Sequence, residues 1–280
     1  MAHLINQREM TMRSINLRSF FFSLTLLATA ATEAVAQAPS PDGPGGPEDD
    51  KSYSWGLGLA GMAQQKAYTD IDVEYQPIPI IYFENRWVQL LGPSLEFKIP
   101  GFTFSEDNEL SFGARIEFDG GGYKGSDAPI LSGMAKRKDS FLAGGAAKWE
   151  TPWFSLSADA MFDANSASEG SLFSLGIERT FFYGQHLMIT PSVEATKLDK
   201  KYTDYYYGVR PEEARAGRAA YRPGSTVNTS VGLRVDYMFD EHHALLLQTE
   251  YTALGSKIKD SPITDRSGES MVMLGYLYRF

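Results

Sequence analysis

The sequence predicts an all-β fold, a transmembrane antiparallel β-barrel of about twelve strands, with ten strands as the fallback. Three observations carry this. Segments of strand length alternate apolar and polar residues along nearly the whole chain. The chain beyond its N-terminal export segment has no uninterrupted apolar stretch of about eighteen residues, which excludes a helical membrane protein but not a barrel. The chain ends in SMVMLGYLYRF (270–280), where Val272, Leu274, Tyr276, Tyr278 and Phe280 fall on one face of an extended strand. A lipid-facing closing strand needs such an outer face, and Tyr276, Tyr278 and Phe280 are its expected assembly signal for the barrel assembly machinery. The last strand of a secreted sandwich would also alternate, so the remaining segments decide.

Arg8, Arg13 and Arg18 precede the apolar run from Phe20 to Ala31 and the small residues Ala34-Val35-Ala36, the order of a signal peptide with cleavage after Ala36. Residues 1–36 are therefore expected to be removed on export. Residues 37–50, QAPSPDGPGGPEDD, hold only Pro, Gly, acid and other residues with little to bury, and are expected to be a disordered periplasmic leader. Residues 51–280 show no second linker and are expected to form one barrel domain in the outer membrane of a Gram-negative bacterium.

Strands are expected at 53–63, 74–83 and 87–99. Leu110, Phe112, Ala114, Ile116 and Phe118 then oppose Ser111, Arg115, Glu117 and Asp119. A strand at 139–150 is followed by Phe154 to Phe162, Phe173 to Ile177 and Leu187 to Ala195, each with polar residues between its apolar ones. The clearest alternation runs Val227, Thr229, Val231, Leu233, Val235, Tyr237, Phe239, and Leu245 to Tyr251 repeats it. Those are eleven strands with the last one, and an even count requires a twelfth, expected between about residues 100 and 140. Connections near 84–86, 150–153, 183–186 and 240–242 are short, whereas 199–224 and 255–268 are long and polar, matching periplasmic turns and extracellular loops. Trp55, Trp87, Trp149 and Trp153 lie near strand ends, where an aromatic girdle belongs.

The chain has 280 residues with 26 basic and 35 acidic ones and no cysteine. This excludes disulfides and thiolate metal sites, and the acidic balance argues against nucleic acid. No HExxH, GxSxG or phosphate loop occurs, and His186, His242 and His243, with His186 expected to point inward, form no evident catalytic pair. No enzymatic activity, cofactor or metal is expected.

Five stretches are similar to the family of the MltA-interacting protein and outer-membrane protein V: PIPIIYFENRW (77–87), GYKGSDAPILSGM (122–134), TDYYYGVRPEEA (203–214), Tyr221-Arg222-Pro223-Gly224 and the closing GYLYRF. The resemblance spans nearly the whole mature chain. It implies an outer-membrane barrel without catalytic residues. For its best known member it implies a scaffold joining a lytic transglycosylase to a murein synthase in peptidoglycan assembly, while other members have been treated as porin-like or adhesive.

If the apolar faces meet lipid, then Arg115, Glu117, Asp119, Lys148, Asp159, Glu178, Glu194, Arg234, Asp236 and Glu250 point into the lumen. They would either set the selectivity of a narrow channel or pair into a plug. The loop from 199 to 224 gathers Tyr205, Tyr206, Tyr207, Gly208, Arg210, Arg215, Arg218, Tyr221 and Arg222, a mixture suited either to a partner site or to a lid over the lumen. Within it, 212–219 is a candidate short helix. Lys136-Arg137-Lys138 reads as a solvated strand-end loop, with phosphorylated lipid as the other reading. The partners expected are outer-membrane lipid and lipopolysaccharide, with the two murein enzymes following from the resemblance.

Overall fold

The computed structural model describes residues 53–105 and 107–280; the signal peptide and leader expected at 1–50 lie outside the described residues. Twelve antiparallel strands run in sequence order: β1 (Ser54–Gln65), β2 (Glu74–Glu84), β3 (Val88–Leu91), β4 (Ser94–Ser105), β5 (Asn108–Asp119), β6 (Ser140–Glu150) and β7 (Ser155–Asp163). Then come β8 (Ser171–Glu178, continued by Phe181–Tyr183), β9 (Leu187–Leu198), β10 (Thr226–Met238), β11 (His243–Ala253) and β12 (Gly268–Arg279). Each pairs with its neighbours in the chain, and β12 pairs with β1 from Gly56↔Arg279 to Gln65↔Ser270, which closes the barrel. Closure leaves no terminal edge strand, as a structure without water around its backbone requires. The C-terminal residue completes the seam: Phe280 N–H donates to the Trp55 carbonyl at 2.9 Å, and the two rings stack with centroids 3.8 Å apart.

The count of twelve agrees with the sequence, but the twelfth strand arises elsewhere than expected. No strand lies in 120–139. Instead the segment read as one strand at 87–99 is folded into a hairpin at Gly92-Pro93, where Gly92 takes φ 53°. A glycine tolerates this left-handed value, and Pro93 starts the returning strand. The two pieces of β8 have one register on β9, and their break at Arg179-Thr180 lies opposite Pro191, which has no N–H to give that neighbour.

Outward positions match the alternation in the sequence. Leu57, Leu59, Phe173, Leu175, Val227, Val231, Val272 and Leu274 are all exposed, a disposition that only a lipid solvent favours. Inside, the barrel divides in two. Behind β11, β12, β1, β2 and β3 the inner face is apolar and packed, with Ala60, Ile78, Ile80, Leu91, Leu246, Met273 and Leu277 in one buried cluster. Behind β4 to β10 it is polar. The connections at 85–87, 151–154, 184–186 and 239–242 are short, and those at 66–73, 120–139, 164–170, 199–225 and 254–267 are long. The first set is taken as the periplasmic end and the second as the extracellular end.

Candidate functional site: the lumen and its lid

All ten charges read from the sequence as inward sit on the lumen side of their strands. Arg115 is the hub. Its Nε and Nη2 donate to Glu96 Oε2 at 3.2 and 2.9 Å, and its Nη1 donates to Asp159 Oδ1 at 2.6 Å. These join β4, β5 and β7 across the inner wall. Lys98 pairs with Glu84 at 2.5 Å, Arg234 with Asp236 at 3.0 Å, and Lys148 with Glu150. Glu194 and Glu250 each accept a threonine hydroxyl two residues on, from Thr196 and Thr252, both at 2.9 Å. Arg115, Glu117, Lys148, Asp159, Glu178, Glu194 and Arg234 line one cavity of about 450 Å³. That cavity reaches Arg86, Trp87, Glu109 and Glu150 at the short-turn rim and ends below Met161 and Leu172; no residue of the long loops lines it. Asp119 is absent from it, being buried at the top of β5.

The long loops close the other end. Helix α1 (Lys200–Tyr207) begins at Asp199, whose side chain accepts from Tyr202 N–H at 2.8 Å in an ordinary N-cap. Its tyrosines turn inward. Tyr202, Tyr206 and Tyr207 are buried with Tyr68, Tyr123, Leu131, Val209, Ile258 and Ile263 in a second apolar cluster, which also takes in Leu142, Met161, Leu172 and Leu198 from the upper barrel wall. This cluster is continuous from the loops into the lumen. Tyr202 OH donates to Asp119 Oδ2 at 2.7 Å and Tyr206 OH donates to the Lys138 carbonyl at 3.0 Å, so these two buried hydroxyls are partnered, whereas the Tyr123 hydroxyl is buried without a partner. Burial raises the Tyr202 and Tyr207 hydroxyls well above the ordinary range.

A buried ion pair ties loop 120–139 to loop 199–225. Arg137 Nη1 and Nη2 donate to Glu213 Oε1 and Oε2 at 3.0 and 2.8 Å, and Arg137 Nε donates to the Tyr205 carbonyl at 2.7 Å. Burial alone would raise the Glu213 carboxyl. The bonds from Arg137 and from the Arg210 and Ala135 amides outweigh it and hold the group at about 2. Arg218, also buried, donates to the carbonyls of Glu213, Ser132 and Ile130. Gly208 closes α1, where a Cβ would come within 2.2 Å of the Asp204 carbonyl oxygen.

Several expectations change here. Lys136-Arg137-Lys138 is not uniformly solvated, because Arg137 has a buried partner 76 positions away that local sequence does not reveal. Residues 212–219 form no α-helix; a 3-10 turn at Pro211–Glu213 and an Arg215–Arg218 bridge occupy that stretch, and the helix is at 200–207. Of the loop residues singled out, Tyr206, Tyr207, Gly208 and Arg218 are buried, Tyr205 and Tyr221 are half-buried, and Arg210, Arg215 and Arg222 are exposed. His186 is exposed on the short-turn rim, since the turn at Gly184 takes it out of the strand alternation, and its Nδ1 lies 2.7 Å from the Met238 carbonyl oxygen. Among the described residues no group of His, Cys, Asp and Glu is placed to hold a metal.

A closed twelve-stranded barrel with an apolar outer belt, aromatic residues at its rim and a lumen lined by paired charges is an integral protein of the Gram-negative outer membrane. Comparison with known proteins refines this. The family model for the MltA-interacting protein MipA matches residues 57–280, and the chain belongs to that family. It is 28% identical over 228 residues to YiaT of Escherichia coli strain K12, covering 80% of this chain and 90% of that one. It is 24% identical over 233 residues to the MltA-interacting protein of the same strain, covering 81% and 90%. Among solved structures the NanC porin aligns with a TM-score of 0.46 at 8% identity, over 79% of this chain and 98% of the porin. The protein is an outer-membrane β-barrel of this family.

Proposed function

We propose that the protein is a lidded scaffold: a barrel shut at its extracellular end, which holds murein enzymes near the membrane through its periplasmic face. The observation that carries this is the apolar cluster running from Tyr206 and Ile258 in the loops to Leu142 and Leu172 in the wall, which lies between the polar cavity and the long-loop end. A conduit needs a continuous wet path, and burying apolar groups across the mouth removes it. The name of one relative, the MltA-interacting protein, supports a partner of the MltA kind, and a lytic transglycosylase together with a murein synthase is what the family resemblance implies. The mechanism would be positional, with enzymes held on one barrel meeting at raised local concentration.

The polar cavity favours a second reading, a pore gated by the lid. Ion conductance in planar bilayers separates the two, with a variant lacking residues 203–220 measured alongside. Silence in both, together with crosslinking of the short-turn rim to a lytic transglycosylase, supports the scaffold. Steady current in the intact protein overturns it, and current only in the deletion makes the barrel a lidded pore.

A further inference from the structure

The β3–β4 hairpin is shorter than the strands on either side of it. Its tip is tied to β2 by Gly92 N–H donating to the Ile81 carbonyl and to β5 by Phe118 N–H donating to the Pro93 carbonyl. Above that tip, among the described residues, β2 has no backbone partner on the side away from β1. The odd-numbered residues of β2 face this free side, as Ile81 does, and two of them are Pro77 and Pro79. Prolines there remove two N–H donors from the free side, which lowers the penalty of an edge facing hydrocarbon while the carbonyls of that edge remain. The sequence therefore suits a wall that is meant to stay unzipped.

Gly92-Pro93 is the sill of the opening, and β2 and the top of β5 are its sides. Two missing strand positions leave roughly 14 Å between the sides. Ile78 and Leu91 are buried behind it, so it is a groove in the wall and no route to the polar cavity. Tyr75 and Ile81 are exposed on the outer face beside it.

The frame is basic at the top on its β5–β6 side, across from the exposed Asp70 and Asp72 that lead into β2. The Tyr123–Arg137 bridge extends β5 and β6 upward, and Lys124, Lys136 and Lys138, each within one residue of that bridge, are exposed. On the lysine side, Asp127 accepts from the Lys124 amide at 2.7 Å and Asp139 from the Gly122 amide at 3.1 Å.

We propose that this groove binds a phosphorylated, acylated lipid of the outer leaflet, with an acyl chain against the proline edge of β2 and the phosphate on the lysines above. Apolar walls at hydrocarbon depth crowned by unpaired cations complement that amphiphile and no soluble solute.

The test places full-length protein in nanodiscs of phosphatidylethanolamine doped with bisphosphorylated lipid A, extracts it, and counts retained lipid by native mass spectrometry. Wild type is expected to retain one lipid A, and the triple variant Lys124→Glu, Lys136→Glu, Lys138→Glu at least tenfold less. The control Lys200→Glu, Lys201→Glu on α1 is expected to match wild type. Circular dichroism and the gel shift of the folded barrel show whether the triple variant folds. A second arm needs no variant: lipid A stripped of its phosphates is expected to be lost. Equal retention by the triple variant, by the dephosphorylated lipid, or of phosphatidylglycerol in place of lipid A would reduce the groove to ordinary annular lipid and overturn the proposal.

Discussion

Replacing Glu213 by Gln removes the charge that Arg137 is buried against while leaving the side chain's shape. The carboxylate accepts two bonds from Arg137, at 3.0 and 2.8 Å, and one each from the Ala135 and Arg210 amides at 3.0 and 3.1 Å. A glutamine offers one acceptor oxygen and turns an NH2 toward other donors. Arg137, 1% exposed, then keeps the carbonyls of Tyr205 and Ala135 and at most one bond to the amide oxygen, with no charge to balance its own. Removing one partner of such a pair costs about 3–5 kcal/mol. Linkage gives the same size: a carboxyl held at about 2 against an ordinary 4.5 corresponds to about 3 kcal/mol. Hydrogen exchange of lid peptides at 120–139 and 199–225 should therefore quicken about a hundredfold, with the barrel strands as the internal standard. A rise below tenfold, or an equal rise in the strands, would refute the idea that this pair latches the lid. The pH dependence has a definite sign. Because the folded carboxyl titrates below its unfolded value, its contribution is complete above about 4.5 and fades as pH falls toward 2. Pepsin should accordingly nick the wild-type lid increasingly between pH 4.5 and 2, while Glu213→Gln shows no such step.

Other outcomes follow from the same geometry. Tyr202→Phe leaves the buried Asp119 without its 2.7 Å donor and should weaken the lid by about 2 kcal/mol, roughly thirtyfold in exchange of α1 amides. Gly58→Val should prevent closure, because a Cβ there would stand 2.2 Å from the Tyr276 carbonyl oxygen across the β1–β12 seam; the fast-migrating folded band on unheated gels should disappear, and a band of wild-type intensity would contradict this. Phe280→Ala removes the stack on Trp55 and should cost about 1 kcal/mol, read as slower folding into vesicles with the final barrel intact.

The outer face was legible because lipid enforces period two. Val227 to Phe239 and Val272 to Phe280 could be read residue by residue, and the inward charges followed by subtraction. The inner face obeys no such rule. On β2 and β11 apolar residues occupy both faces, as in Ile80-Ile81 and Leu245-Leu246-Leu247, so the packed half of the lumen was hidden in runs without alternation. The hairpin at 92–93 had its own signal, a Gly-Pro pair inside a supposed strand, and the strand reading passed over it. The lid was legible only as composition. Tyrosine and arginine clustered at 202–222 are equally a binding surface or a small core, and contacts such as Arg137 to Glu213 or Tyr202 to Asp119, far apart in sequence, decide which.

The two halves of the interior answer different demands. Between β5 and β10 every neighbouring pair of strands is joined by a connection of the chain, so that wall is held covalently as well as by its ladder, and ion pairs such as Arg115 with Glu96 and Asp159 can stay wet beneath it. The β1–β12 seam has no connection at all. Only backbone bonds, the Trp55–Phe280 stack and side chains behind the seam resist its opening. The most apolar part of the lumen lies there: Ala60 and Met62 on β1 and Met273 and Leu277 on β12 share one cluster with Ile80 and Leu246 on the flanking strands. Small residues make this possible, since a Cβ at Gly275 would already touch Ala60 and Ile80 at 3.0 Å. Filling the lumen behind the seam thus replaces the missing connection with burial, and the same filling pushes the polar cavity to the opposite wall, where it meets the periplasmic rim.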